Sequence, residues 1–147
     1  MFGSIVVGTD GSDTARVAVR KAVDLAVTHG ATLDVVSAFE PPSSRRIRAE
    51  MREIPEDLQW MLNLREEVEA TLRDAEETAR SSGVEVETFS RDGDAADAIL
   101  DLAEERGTDL IVVGNKGMTG AKRFLLGSIP NKISHHATCD VLIVRTT

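Results

Sequence analysis

Short runs of β-branched apolar residues alternate along this chain with longer segments of helical periodicity, and this alternation allows very few folds. The run Ser4–Gly8 stops at a turn-forming cluster, and the helical segment after it begins near Ser12 and ends at Gly30. Strands that alternate with helices form a mostly parallel sheet, because each helix returns the chain to the start of the next strand. Runs that are apolar on both faces suit the centre of such a sheet.

The same patterns predict the rest of the order. Further strands are expected at 32–39, 84–90, 109–114 and 140–145, and further helices at 57–82, 95–106 and 128–137. We therefore expect an α/β fold, an open sheet of five parallel strands with helices on both faces. The strand order 3-2-1-4-5 would place the ends of the first and fourth strands side by side.

The length of 147 residues fits one domain, so 1–147 is expected to be a single domain. The stretch 41–58 is proline-containing, balanced in charge and poor in apolar residues. Such a segment is typical of an exposed insertion between regular elements.

The charge balance excludes one class of partner. The formal net charge is −8, whereas proteins that bind nucleic acid duplexes carry a basic surplus. No apolar run is long enough to span a membrane, and the N-terminus lacks the features of a signal peptide. The single cysteine, Cys139, cannot form an intramolecular disulfide, which fits a reducing compartment and predicts a cytoplasmic protein.

A basic window near the C-terminus is the clearest sign of a ligand. No acid occurs between Asn115 and Cys139, whereas this window holds four basic side chains: Lys116, Lys122, Arg123 and Lys132. Its glycines lead into a helix start at Gly127-Ser128, where Ser128 is expected to cap the helix. Free N–H groups at a helix start bind anions, and glycine lets the backbone approach a phosphate.

The position of this window in the predicted fold supports a ligand site. In open α/β sheets, ligands bind beyond the carboxyl ends of strands, where the strand order reverses. Here Gly8–Ser12 follows the first strand and Gly114–Gly117 follows the fourth. The loop lacks the G-x-x-x-x-G-K-[ST] pattern of P-loop nucleotidases, and no G-x-G-x-x-G dinucleotide fingerprint follows the first strand. No histidine–cysteine cluster has metal-ligand spacing.

The spacing Gly114-x2-Gly117-x9-Gly127-Ser128 resembles the ATP-binding signature of the universal stress protein family, G-x2-G-x9-G-[ST]. Four further segments look like that family, and together they span nearly the whole chain: Ile5–Ser12, Asp109–Gly114, Leu125–Ile129 and Cys139–Arg145. The resemblance implies the 3-2-1-4-5 fold and an adenine nucleotide ligand. That ligand would be ATP, with Mg²⁺ possible beside it, or alternatively AMP or cyclic AMP.

The resemblance also implies which residues form the site. Thr9 and Asp10 would approach the adenosine, and the backbone of Ala38 would meet the adenine. The other implied contacts, to ribose and phosphates, come from Gly114, Asn115, Lys116, Gly117, Gly127, Ser128 and Ile129. Asp10 has a second interpretation, since its carboxylate could simply accept an N–H within the turn.

Family members usually dimerise, often through the last strand. Here Val141–Val144 would form an apolar sheet edge, which is a physical reason to expect a homodimer.

Three functions remain open on these residues. The first is a nucleotide-binding regulator of the stress response. The second is an enzyme that hydrolyses ATP slowly or transfers a phosphoryl or nucleotidyl group. The third is an interaction protein that binds no nucleotide. Binding ranks above catalysis, because phosphoryl transfer needs a group that positions the nucleophile, and no base is paired with Asp10.

Overall fold

The sheet has the predicted order. The computed structural model describes residues 1–39, 57–115 and 127–146. All pairings between neighbouring strands are parallel, and the strand order is β3-β2-β1-β4-β5. The strands are β1 (Ser4–Gly8), β2 (Thr32–Phe39), β3 (Val86–Asp92), β4 (Leu110–Gly114) and β5 (Asp140–Val144).

Helices cover both faces of this sheet, as expected. Within the described ranges they are α1 (Asp13–His29), α2 (Asp57–Ser81), α3 (Ala95–Arg106) and α4 (Ser128–His136). Side chains of β1 alternate between two cores: Ile5 and Val7 pack with α1 and α2, whereas Val6 packs with α3 and α4. All three are fully buried, which explains why this strand is apolar on both faces.

Capping residues set the ends of the predicted helices. The Ser12 hydroxyl accepts the Ala15 N–H at 3.2 Å and begins α1. Asp94 begins α3 in the same way. Gly30 and Gly107 end these two helices with φ of 65° and 61°, a conformation that costs glycine little. Both ends of α1 and of α3 lie within one residue of the predicted positions.

The third strand begins later than predicted. We expected 84–90, whereas β3 runs from Val86 to Asp92. The reason is the end of α2: Gly83 has φ of 74°, and the Val84 N–H donates to the Ala79 carbonyl at 3.0 Å. Val84 therefore belongs to the end of the helix, and its side chain is buried. The alternation of apolar residues begins at Val84, two residues before the strand, which is why the predicted start was too early.

Residues 40–56, which include most of the predicted insertion at 41–58, lie outside the described residues. The last two positions of that prediction, 57 and 58, belong to α2. In the part of the chain that the structure describes, no helix is both long enough and apolar enough to cross a membrane.

Candidate functional site

A cavity lies at the carboxyl ends of β1 and β4, where the order of the sheet reverses. β1 pairs with β2 on one side and with β4 on the other, so the connections after β1 and β4 leave in opposite directions. The cavity measures about 100 Å³. It is lined by Gly8, Thr9, Asp10, Ser12, Thr14, Ala15, Val36, Ala38, Ala95, Ile99, Val113, Gly114, Ile129 and Pro130.

The turn after β1 is held by its own side chains. The Thr9 hydroxyl oxygen accepts the Gly11 N–H at 3.1 Å, and Asp10 Oδ1 accepts the Ser12 N–H at 2.9 Å. Asp10 therefore does act within the turn, as the second interpretation of this residue expected. It also lines the cavity. Its Oδ2 has no hydrogen-bond partner among the described residues, so one oxygen remains able to accept a hydrogen bond.

Asn115 connects the end of β4 to two later parts of the chain. Its backbone N–H donates to the Val144 carbonyl at 2.8 Å, and its own carbonyl accepts the Gly127 N–H at 2.9 Å. Its side-chain Oδ1 accepts both the backbone N–H and the hydroxyl of Thr146, at 2.8 and 2.9 Å. Asn115 thus places Gly127, and with it the start of α4, beside the end of β4.

The start of α4 differs from the expectation in one respect. We expected Ser128 to cap the helix, but Gly127 is the N-cap residue and no side chain caps it. The helix begins one residue earlier than that expectation required, which makes Ser128 the first helical residue. Pro130, two residues further on, fits because the first turn leaves its N–H groups without helical partners. The exposed Ser128 hydroxyl is consequently not used for capping.

The start of α3 is linked to α4 beside the cavity. Asp94 Oδ2 accepts the Asp97 N–H at 3.0 Å, and Lys132 Nζ lies 3.2 Å from the same oxygen. Lys132 Nζ also lies 2.8 Å from Asp97 Oδ1. Lys132 counted toward the basic window in the sequence, yet in the fold it is paired with two carboxylates.

These contacts favour the charged forms of Asp94 and Lys132. The pKa of the Asp94 carboxyl is lowered, mainly because it accepts the Asp97 N–H and further because Lys132 is close. The pKa of the Lys132 ammonium is raised, first by its hydrogen bond to Asp97. The stabilisation from Asp94 is lost only as pH falls through its lowered pKa, and that from Lys132 only as pH rises through its raised pKa. Both groups are therefore charged at neutral pH.

The structure brings together most of the predicted site residues that it describes. Those that line the cavity are Thr9, Asp10, Ala38, Gly114 and Ile129. Asn115, Gly127 and Ser128 lie next to it without lining it. Lys116 and Gly117 fall outside the described residues.

Sequence reasoning missed the wall that α3 contributes. Ala95 and Ile99 line the cavity, but in the sequence they are ordinary apolar positions of an amphipathic helix. The contact of Thr146 with Asn115 could not be predicted from the sequence either, since the two residues are 31 positions apart in the chain. Thr14 could have been included with Gly8–Ser12, because it lies in the first turn of α1, directly after that segment.

Comparison with known proteins identifies the family. The model of the universal stress protein family matches residues 1–145. The chain is 37% identical over 150 residues to the universal stress protein YxiE of Bacillus subtilis, covering 99% of this chain and 100% of that protein.

Two solved structures are similar throughout. One is a universal stress protein in complex with cAMP, with a TM-score of 0.73, 32% identity and coverage of 99% and 98% of the two chains. The other is the universal stress protein of Archaeoglobus fulgidus in complex with dAMP, with a TM-score of 0.67, 27% identity and coverage of 97% and 98%. With the fold, the strand-end cavity and these matches together, the chain belongs to the universal stress protein family.

Proposed function

We propose that this protein binds an adenine nucleotide, ATP in the first instance, and acts as a nucleotide-dependent regulator of the stress response in the cytoplasm. One observation carries the proposal. A cavity with largely apolar walls opens between the ends of β1 and β4 and the first turns of α3 and α4. Such a cavity offers apolar surface to a base and helix N–H groups to a phosphate.

Each part of the site has a role that its chemistry supports. The side chains of Val36, Ala38 and Ile99 form apolar walls that suit an adenine ring. The Oδ2 of Asp10, which has no partner among the residues that the structure describes, can accept a hydroxyl hydrogen of the ribose. The exposed Ser128 hydroxyl and the free N–H groups of the first α4 turn can donate to phosphate oxygens. Mg²⁺ would enter with ATP as part of the bound complex.

Cyclic AMP is the alternative ligand that a specific observation favours. The relative solved in complex with cAMP is 32% identical to this chain, and the Archaeoglobus protein was solved with dAMP. Both of those ligands carry an adenine base and a single phosphate group. ATP is supported instead by the glycine spacing Gly114-x2-Gly117-x9-Gly127-Ser128.

The first experiment is a calorimetric titration of nucleotide-free protein with ATP and Mg²⁺, AMP and cyclic AMP. We expect one nucleotide to bind each chain, with ATP tightest. Ser128→Ala removes a hydroxyl donor to a charged group and is expected to weaken binding about tenfold. Ser134→Ala is the matched control, because Ser134 lies on the same helix and its hydroxyl donates to the Asn131 carbonyl instead.

The outcomes of this titration separate the candidate functions. Tightest binding of cyclic AMP would replace ATP with the alternative ligand. If no adenine nucleotide binds, the proposed function is wrong. Equal losses in the Ser128 and Ser134 variants would remove Ser128 from the site.

We infer that the chain forms a homodimer through β5, because the two edges of the sheet differ in chemistry. The outer strand β3 carries Glu87, Arg91 and Asp92, and charged edges resist pairing with another strand. The opposite edge, β5, has the partly exposed apolar residues Val141, Leu142 and Ile143. A second copy of β5, related by a two-fold axis, would cover them.

Ile143→Pro tests this edge. The Val144 carbonyl accepts the Asn115 N–H, so the backbone of Val144 faces β4 and that of its neighbour Ile143 faces the open edge. Proline at position 143 therefore removes a hydrogen-bond donor from the edge and leaves the contacts with β4 in place. We expect the dimer dissociation constant to rise about 100-fold, since the symmetric interface loses two donors. Sedimentation equilibrium measures this change.

The matched control is Ser90→Pro on the opposite edge. The Glu85 carbonyl accepts the Leu33 N–H, so the backbone of Ser90 faces away from β2 by the same alternation. This variant should leave the dimer unchanged. A monomeric wild-type protein, or a dimer that is lost only in Ser90→Pro, would contradict the β5 interface.

A further inference from the structure

The helix α4 packs on the core beside the cavity. The helix has nine residues, and its N-cap residue, Gly127, makes no side-chain capping bond. Its fully buried residue Ile133 packs in the same core as Ile99 of α3. Two residues of its first turn, Ile129 and Pro130, line the cavity. Any shift of α4 along α3 would therefore move one wall of the site.

Two ion pairs of Lys132 connect α4 to the start of α3. Lys132 Nζ lies 3.2 Å from Asp94 Oδ2 and 2.8 Å from Asp97 Oδ1. Asp94 is also the N-cap residue of α3, and Ala95, which follows it, lines the cavity. Among the residues that the structure describes, Lys132 makes the only side-chain ion pairs between these two helices.

The charges around Lys132 argue against a direct contact with phosphate. One ammonium group faces two carboxylates, so the cluster of Lys132, Asp94 and Asp97 carries a net charge of −1. A phosphate would be repelled by this cluster unless Lys132 gave up both of its partners. Although Lys132 lies in the basic window of the sequence, its ammonium group connects α4 to the start of α3.

We propose that Lys132 is a positioning residue of the nucleotide site, which sets the distance between the first turns of α3 and α4 through Asp94 and Asp97. This inference rests on the proposed nucleotide binding. Exposed ion pairs contribute little to global stability, and the side chain of Lys132 is 42% exposed. Loss of these ion pairs is therefore expected to lower the affinity for the ligand more than the stability of the fold. A small displacement of a cavity wall is enough to weaken the contacts with a bound ligand.

The test compares affinities for ATP, AMP, cyclic AMP and adenosine by calorimetry. Lys132→Gln is expected to weaken all four, adenosine by about tenfold, because Ile129 and Pro130 move with α4 and line the same cavity as the apolar walls for the base. Its melting temperature should stay close to that of the wild type. If Lys132 bound phosphate directly and had no positioning role, adenosine would bind Lys132→Gln as tightly as it binds the wild type. That result would overturn the proposal.

A charge exchange gives a second, independent readout. The variant Asp97→Lys/Lys132→Asp can rebuild one of the two ion pairs with the charges reversed, and we expect it to recover part of the lost affinity. A direct phosphate contact predicts the opposite, because an aspartate at position 132 would repel the nucleotide. The control is Arg91→Gln, which breaks the ion pair of Arg91 with Glu105 at the other end of α3 and should leave affinity unchanged.

The failure of this inference is distinguishable from failure of the proposed function. If wild-type protein binds none of the four compounds, the nucleotide site itself is wrong. If wild-type protein binds and Lys132→Gln binds equally well, the nucleotide site stands and the positioning role is wrong.

Discussion

Gly11→Ala is expected to lower the free energy of unfolding by about 3 kcal/mol, from backbone strain and a side-chain clash together. Gly11 has φ of 81°, in the region that disfavours L side chains. An added Cβ would also lie 2.6 Å from Thr71 Oγ1 and 3.3 Å from Thr71 Cγ2. The turn after β1 would have to move away from α2. Urea unfolding, followed by circular dichroism, measures the change.

Two further variants separate the two causes of this loss. Gly30→Ala is the matched control for strain, since Gly30 has φ of 65° and its added Cβ would meet no atom of the described residues within 4 Å beyond its own chain neighbours and helix backbone. It should cost about 1 kcal/mol. The double variant Gly11→Ala/Thr71→Ala lacks both close side-chain atoms, Thr71 Oγ1 and Cγ2. Relative to Thr71→Ala alone, it should lose only the part of the free energy of unfolding that comes from backbone strain. Equal losses for Gly11→Ala and Gly30→Ala would show that α2 does not approach the turn this closely.

The architecture could be predicted from the sequence because its signals are local. Ser12 and Gly30 mark the ends of α1 through hydrogen bonds and φ values set within a few residues. The sequence predicts β1 as a buried strand because both of its faces are apolar. Site residues at strand ends, such as Thr9 and Gly114, follow from the rule that ligands bind where the strand order reverses.

The rest of the site depends on pairs of residues that only the fold brings together. Asn115 and Thr146 are 31 positions apart, and Asp94 and Lys132 are 38 apart. No spacing rule connects such pairs. Ile99 shows a different limit, because an apolar residue that lines a cavity has the same helical spacing as one that fills the core.

Gly8→Ala is expected to weaken nucleotide binding about 100-fold and to lower the free energy of unfolding by about 2 kcal/mol, through overpacking against Ile99. An added Cβ at Gly8 would clash with Ile99 Cδ1 and lie 3.1 Å from Ile99 Cγ1. Ile99 is only 4% exposed, so its side chain has little space on the core side. The side chain of Ile99 can therefore move only toward the cavity that it lines. There it would occupy space that the base needs.

The double variant Gly8→Ala/Ile99→Val removes the nearest clashing atom, Cδ1, and should recover most of the affinity. Gly3→Ala is the matched control near the other end of β1, where the added Cβ would meet, among the described residues, only Asp109 Oδ2, at 3.3 Å. It lies at the amino end of the strand, away from the cavity, and should bind nucleotide like the wild type. If Gly8→Ala keeps its affinity while remaining folded, the nucleotide does not enter the cavity between β1 and α3, because no ligand there could avoid the displaced Ile99 side chain.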